Sequence, residues 1–222
     1  MTKDKSLEKI AKIYFDLDNT FFNKSYKQIE KKIAYRRFRY IAKYVKGKRV
    51  LDIGCNGALI LKFFNRKFDY TGIDVCKTTN KILKRRRIKV KNIDVSREKI
   101  PFPDKFFDTV IMAEIVEHLE NPFFAIKEVK RVLKDDGLLI GTTANTYNIQ
   151  SFIFSFISKP KKTGHLYTFR IEELANLLRY SGFEKIKIDR ICSRIPCIEI
   201  NLPDKSIFKL FSTFFLFICF KK

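Results

Sequence analysis

The sequence predicts an α/β fold, a parallel sheet wrapped by helices, and three observations carry that reading. From Arg49 onward, short apolar runs alternate with segments of helical periodicity in the order β-α-β-α. Hydrophobic residues make up 45% of the 222 positions, enough for a sizeable core and incompatible with wholesale disorder. Only 8 Gly and 6 Pro are present, too few for a many-turned all-β or low-complexity chain. The length fits one domain of the larger kind.

The elements follow in order. Lys24 to Lys46 reads as a helix, with Ile29, Ile33, Ala34, Phe38, Ile41 and Val45 as its apolar stripe and lysines and arginines, Arg36 and Arg37 among them, on its other faces. RVLDI (49–53) is a short strand ending at glycine. ALILKFFNR (58–66) has helical spacing, and DYTGID (69–74) is the next strand. A basic helix runs through Arg87, and IKVKNID (88–94) alternates as a strand. FFDTVIMA (106–113) reads as a buried strand. Asn121-Pro122 opens a helix with Ala125, Ile126, Val129, Val132 and Leu133 inward, and Asp136-Gly137 stops it before the strand LLIGTT (138–143). Ile171 to Tyr180 is a helix stopped by Ser181-Gly182. FEKIKIDRI (183–191) alternates as a strand, and FFLFICF (214–220) closes the sheet by pairing with it.

The formal net charge of +22 points to an anionic partner: nucleic acid, an acidic membrane surface or a phosphorylated substrate. It is unevenly spread, since residues 106–150 hold 4 basic and 7 acidic side chains. Five cysteines (Cys55, Cys76, Cys192, Cys197, Cys219) at irregular spacing do not form a disulfide framework and suit a reducing cytoplasm. The N-terminus has no apolar signal-peptide region, and FFLFICF is too short to span a bilayer. A cytoplasmic protein is expected, with peripheral membrane contact kept open.

Chemistry concentrates at the ends of the strands. VLDIGCNGA (50–58) takes an apolar strand through Asp52 into a turn of Gly54, Cys55, Asn56, Gly57 and Ala58, which lets backbone amides face a ligand closely. A second strand ends at Asp74, where a carboxylate can accept bonds from both ribose hydroxyls of a nucleoside. A third ends at Asp94. Three carboxylates at the C-terminal ends of consecutive strands place a ligand across the top of the sheet.

VLDIGC, GID, NIDVSREKIPFPDKFFDTVIMAEIVEHLENP and EVKRVLKDDGLLIGTT, in this order and spacing, resemble class I S-adenosylmethionine-dependent methyltransferases, the methyltransferase type 11 group that contains the ubiquinone and menaquinone pathway enzymes. The resemblance runs from about Arg49 to Lys222. It implies a Rossmann-like doubly wound sheet of about seven strands with the last antiparallel. It also implies an N-terminal helical cap over 1–48 and a methyltransferase domain over 49–222, with a lid insertion near 145–170. Asp52 would lie near the methionine amino end of the cofactor and Gly54 to Ala58 along its flank. Asp74 and Val75 would meet the ribose, Asp94 and Val95 the adenine, and Ala113-Glu114 the methyl donor. The family's glycines stand where this chain has Asn56 and Ala58. Asn tolerates left-handed backbone, and Ala is small enough for close packing.

Glu114, Glu117 and His118 form E-x-x-E-H after the fourth strand, and on a helix these positions share one face. With His165 from the segment GHLYTF they make a four-residue candidate for a divalent metal. Small-RNA 2′-O-methyltransferases and quinone-pathway O-methyltransferases look similar here, and the resemblance implies a metal beside the acceptor hydroxyl. The alternative is a polar network in which His118 and His165 orient substrate or act as a base.

YFDLDNT (14–20) looks like a haloacid-dehalogenase nucleophile motif with Asp16 and Asp18, yet the sheet that follows belongs to another fold. KRRR (84–87) reads first as a solvated helix end, and aromatics are not interleaved with the basic runs. SFIFSFIS (151–158), with KPKK after it, lines an acceptor pocket, touches a membrane or simply packs. The reading is a methyltransferase using S-adenosylmethionine on the oxygen of a small-molecule, lipid-like or envelope-sugar acceptor, with no stable protein partner implied. The alternatives are an RNA methyltransferase and a non-catalytic protein that keeps the fold.

Overall fold

Strand β1 (Arg49–Ile53) is the centre of the sheet. It pairs in parallel with β2 (Asp69–Ile73) on one side and with β4 (Phe107–Ala113) on the other. The computed structural model describes residues 35–148, 164–195, 200–201, 210 and 212–221. The first part of the leading helix, the Asp16/Asp18 motif, the 151–158 segment with KPKK, and Cys197 lie outside the described residues.

Beyond β2 lies β3 (Lys89–Lys91); beyond β4 come β5 (Leu133–Ala144), β8 (Ser212–Phe220), β6 (Lys185–Ile195) and the two-residue β7 (Ile200–Asn201). The order β3-β2-β1-β4-β5-β8-β6-β7 reverses direction between β1 and β4. That reversal is where an open α/β sheet leaves a crevice at the carboxyl ends of its strands. β8 runs antiparallel to both neighbours, and Phe217 sits opposite both Gly141 and Ile188. The expected pairing of FFLFICF with the preceding strand therefore holds, and β5 is its second partner.

Alternating side chains feed two apolar cores, one on each face. Leu51, Val110, Met112, Leu139, Phe215 and Phe217 face the first, with helices α3 (Pro122–Val132) and α4 (Ile171–Tyr180). Val50, Ile111, Ile140, Leu216 and Ile218 face the second, with Ile41 from helix α1 (residues 35–44) and Leu83 from helix α2 (Lys77–Arg85). This period-two split of apolar residues is what a sheet covered on both faces requires. α3 starts where Asn121 accepts the Phe124 N–H at 3.0 Å and Pro122 takes the first turn. At α4 the Glu173 carboxylate accepts the Arg170 N–H at 2.8 Å.

Two boundaries differ from the sequence reading. The segment after the glycine turn is a short 3-10 turn, Leu59–Phe63, instead of a helix reaching Arg66. Ala58 precedes it in the left-handed region (φ 51°) with its carbonyl accepting the Leu61 N–H at 3.2 Å, and Phe64 returns to extended backbone. β5 begins at Leu133, opposite Phe107, with Asp136-Gly137 lying in an irregularity of that strand pair instead of stopping the helix. Among the described residues no helix is long and apolar enough to cross a membrane, and Cys55, Cys76 and Cys219 are free thiols.

Candidate functional site

Asp52, the fourth residue of β1, is 4% exposed and accepts a 2.7 Å hydrogen bond from the Tyr70 hydroxyl of β2. Burial pushes its carboxyl up to about 7, against the Tyr70 bond, with the Asp74 charge adding to the rise. Burial and those two carboxylates also hold the Cys55 thiol well above its usual range, so Cys55 is a packed neutral neighbour of the site.

The turn that follows has the geometry of a phosphate- or nucleoside-facing loop. Gly54 stands at φ 70°, and a Cβ there would meet Ile115 Cδ1 at 2.9 Å. Asn56 (φ 42°) and Ala58 (φ 51°) are both left-handed. The two positions where the family has glycines thus keep the backbone that glycine favours. Asn bears this at little cost, whereas Ala carries strain of about 1 kcal/mol or more.

Asp74 is fixed by its own surroundings. Its Oδ1 accepts the Cys76 N–H at 2.8 Å and its Oδ2 the Asn56 N–H at 2.8 Å. Its carbonyl accepts from the Asn80 and Asn92 amides at 2.8 and 2.9 Å. Each carboxylate oxygen retains acceptor capacity for a further donor. Burial raises the pKa, and the two backbone bonds oppose that rise. Val75 beside it is 40% exposed. Asp94 accepts the Ser96 N–H at 3.0 Å through Oδ1, while its Oδ2 is buried without a hydrogen-bond partner, its nearest cation being the Arg97 Nε at 3.7 Å. An unfilled acceptor at that place is what an exocyclic amino group of a base would satisfy. Val95 is 4% exposed and packs in the first core, so its contribution is to hold Asp94.

Next to β1, Ala113 ends β4 opposite Thr142, and Glu114 follows at φ 55° with its N–H on the Thr142 carbonyl at 2.9 Å. A 3-10 turn, Val116–His118, comes next. Glu117 is 1% exposed; its Oε1 accepts the Ala144 N–H at 3.3 Å and its Oε2 is buried without a hydrogen-bond partner. Burial raises its pKa, and hydrogen bonds to the carboxylate, the Ala144 N–H among them, oppose that rise ahead of the Arg37 charge. The Glu117 carbonyl accepts from Leu166 and Tyr167 (2.9 and 3.1 Å), which pins the 164–170 segment over the turn. His118 Nδ1 lies 3.1 Å from the Gly164 carbonyl, so Nδ1 carries the proton and Nε2 the lone pair. The rings of His118 and His165 meet edge-on with centroids 4.7 Å apart. Burial lowers both histidines, His165 to about 4 with the His118 charge as the second cause, so both are neutral near pH 7.

Glu117, His118 and His165 each offer a ligand atom, and these atoms all lie within 4.8 Å of one another. Glu114, expected as a fourth member, is not part of this convergence. It precedes the 3-10 turn, so the shared helical face never forms, and its carboxylate lies 3.8 Å from the Arg37 guanidinium. Arg37 is a site residue that the sequence placed on a solvated face. It is instead tucked beneath the rings of Phe38 and Phe214, with centroids 5.3 and 5.0 Å from its Cζ. Tyr70, Asn80 and Asn92 were also missed. Tyr70, in the middle of the short strand DYTGI, was the visible signal.

The arrangement has carboxylates at three strand ends about the switch point, Asp52, Asp74 and Asp94, and a carboxylate–imidazole cluster after β4. A family model described as a methyltransferase domain matches residues 26–188. An uncharacterized protein of Methanocaldococcus jannaschii is 31% identical over 79% of this chain and 82% of its own length. The ubiquinone biosynthesis O-methyltransferase of Alkalilimnicola ehrlichii is 28% identical, and the match covers 54% of this chain and about half (52%) of that enzyme. Among solved structures, a S-adenosylmethionine-dependent methyltransferase of Thermotoga maritima shares the fold, with a TM-score of 0.75, 19% identity, and 95% and 99% of the two chains covered. The chain therefore belongs to the methyltransferase-domain family, and it is a class I S-adenosylmethionine-dependent methyltransferase.

Proposed function

We propose that this enzyme methylates an oxygen of a small or lipid-like acceptor that enters beside Glu117, His118 and His165. The observation that carries the proposal is the convergence of those three ligand atoms within 4.8 Å at the ends of β4 and β5, next to Ala113 and Glu114. Asp52, Gly54 to Ala58, Asp74, Val75, Asp94 and Ala113 form the cofactor side, with Asp74 for the ribose and the unfilled Asp94 oxygen for the adenine. The bound cofactor supplies an activated methyl, so the protein's task is chiefly alignment of the acceptor.

Glu117, His118 and His165 would hold a divalent ion, which supplies polarisation of the acceptor oxygen and lowers its hydroxyl pKa. Two neutral imidazoles and one carboxylate suit a first-row transition ion better than Mg²⁺. Without an ion, the His118 Nε2 lone pair is the base that takes the hydroxyl proton. The 164–170 segment, tied to the Glu117 carbonyl, covers this side, and an apolar 151–158 stretch ahead of it fits a lipid-like acceptor. Helix α1 acts as a cap on this side through Arg37, whose guanidinium lies 3.8 Å from the Glu114 carboxylate. Cytoplasmic placement with peripheral membrane contact suits such an acceptor.

The ubiquinone O-methyltransferase relatives support oxygen as the target atom. The test is methyl transfer from labelled cofactor to a catechol panel, with chelator-treated enzyme titrated with Mn²⁺, Co²⁺ and Zn²⁺ and metal binding followed by calorimetry. Binding that Glu117→Gln abolishes, with recovery of catechol methylation, supports the proposal. Full activity and no heat after chelation would leave the His118 base in place of the ion. Methylation of nitrogen acceptors only would overturn the oxygen assignment.

A further inference from the structure

The structure brings together two segments that the sequence keeps apart, the basic stretch 84–91 and the Phe-rich stretch 102–107. They line a groove of about 430 Å³ that runs from Asp69 and Phe107, at the starts of β2 and β4, along β3 to Lys91, with neither Asp52 nor Asp74 in its lining. Lys84, Arg87, Lys89 and Lys91 supply cationic walls, and Phe102 and Phe106 an aromatic floor. The one carboxylate lining it, Asp69, is taken by Lys89 at 2.6 Å. Phe102 and Phe106 stack with centroids 5.4 Å apart and 28° between planes. Lys91 Nζ lies 4.7 Å above the Phe102 ring, and the Arg49 guanidinium 4.3 Å above Phe106. Arg85 and Arg86, both exposed, extend the positive shelf, and β3 is the edge strand of the sheet.

We infer that this groove docks a single-stranded RNA. Alternating negative phosphates and flat bases match cations set around ring faces, and base–aromatic stacking works without sequence preference. Unpaired bases that can enter such a groove are chiefly those of RNA loops and ends. An incoming base takes the Phe102 face, and the exposed Lys91 ammonium passes from the ring to a phosphate. A bilayer fits less well, because it needs apolar side chains that project, and these rings lie half-buried at the bottom of a concavity. The inference does not depend on the acceptor proposed above, since the groove and the carboxylate–imidazole cluster share no residue.

The test is anisotropy of a fluorescein-labelled single-stranded RNA of mixed sequence with the full chain, from about 50 to 200 mM salt. Arg87→Glu/Lys91→Glu is expected to bind at least tenfold more weakly, with the salt slope reduced by about 1.4 for two lost phosphate contacts. Phe102→Leu is expected to weaken binding about five-fold with the slope unchanged. Lys127→Glu/Arg179→Glu, the same charge change on exposed positions of α3 and α4, should stay within about two-fold. If Phe102→Leu lowers the melting temperature, Arg87→Gln/Lys91→Gln carries the comparison. Equal losses in the groove and control pairs would reduce the effect to net charge and overturn the inference. So would absence of RNA binding at low salt, tighter binding of the matching DNA, or groove-dependent binding only to phosphatidylglycerol vesicles.

Discussion

The Arg37 guanidinium stands 3.8 Å from the Glu114 carboxylate, joining helix α1 to the residue that follows β4. The two side chains are only 14% and 20% exposed, so the pair is largely withdrawn from water. Removing the arginine takes away the cation 3.8 Å from a carboxylate that is largely withdrawn from water. Arg37→Ala should therefore destabilise the chain by about 2 kcal/mol in denaturant unfolding. The Arg37→Ala/Glu114→Gln double variant should recover part of that loss. Strict additivity of the two single changes would show that the pair is not coupled.

Ala58 holds a left-handed backbone (φ 51°) at the cofactor turn. Glycine relieves that strain but gains freedom in the unfolded chain, so the two effects partly cancel. Ala58→Gly should raise stability by about 0.5 kcal/mol, read as a small rise in melting temperature. A clear fall would mean that the alanine methyl, 4% exposed in the second core, contributes more by packing than it costs in strain.

Asp52 gives the molecule a specific pH dependence. Its folded pKa of about 7 lies above the ordinary aspartate value of 3.8, so the native state binds the proton more tightly than the unfolded chain. The stabilisation is complete below about pH 4 and is lost as pH rises through about 7, at up to about 1.4 kcal/mol per pH unit. Asp52→Asn should flatten that part of the stability profile. Tyr70→Phe removes the bond that favours the anion and should move the midpoint upward. If the carboxylate faces the methionine ammonium, cofactor affinity should rise over the same interval, and a flat affinity profile would place the ammonium elsewhere.

Most of the fold was legible because its signals are local. The apolar period of β4, the Asn121-Pro122 start of α3 and the Ser181-Gly182 stop of α4 each depend on a few adjacent residues. What was lost depends on backbone hand and on distant partners. Ala58 and Glu114 take left-handed φ values that no propensity announces, so a helix was expected after one and a shared helical face after the other. Arg37 reads as a surface cation until Phe38, Phe214 and Glu114 are brought around it. The strand-end acids Asp52, Asp74 and Asp94 were visible because carboxylates there interrupt apolar runs. The donors to Asp52 and Asp74, namely Tyr70, Asn80 and Asn92, were not, since those pairings join different elements of the chain.

The central claim is that the strand-end carboxylates bind the cofactor, and calorimetry with S-adenosylmethionine tests it most directly. The account predicts saturable one-to-one binding that Asp74→Ala weakens by tenfold or more, since each charge-assisted bond lost contributes about 1.5–3 kcal/mol. The absence of binding heat at millimolar cofactor, or an unchanged affinity in Asp74→Ala, would contradict it.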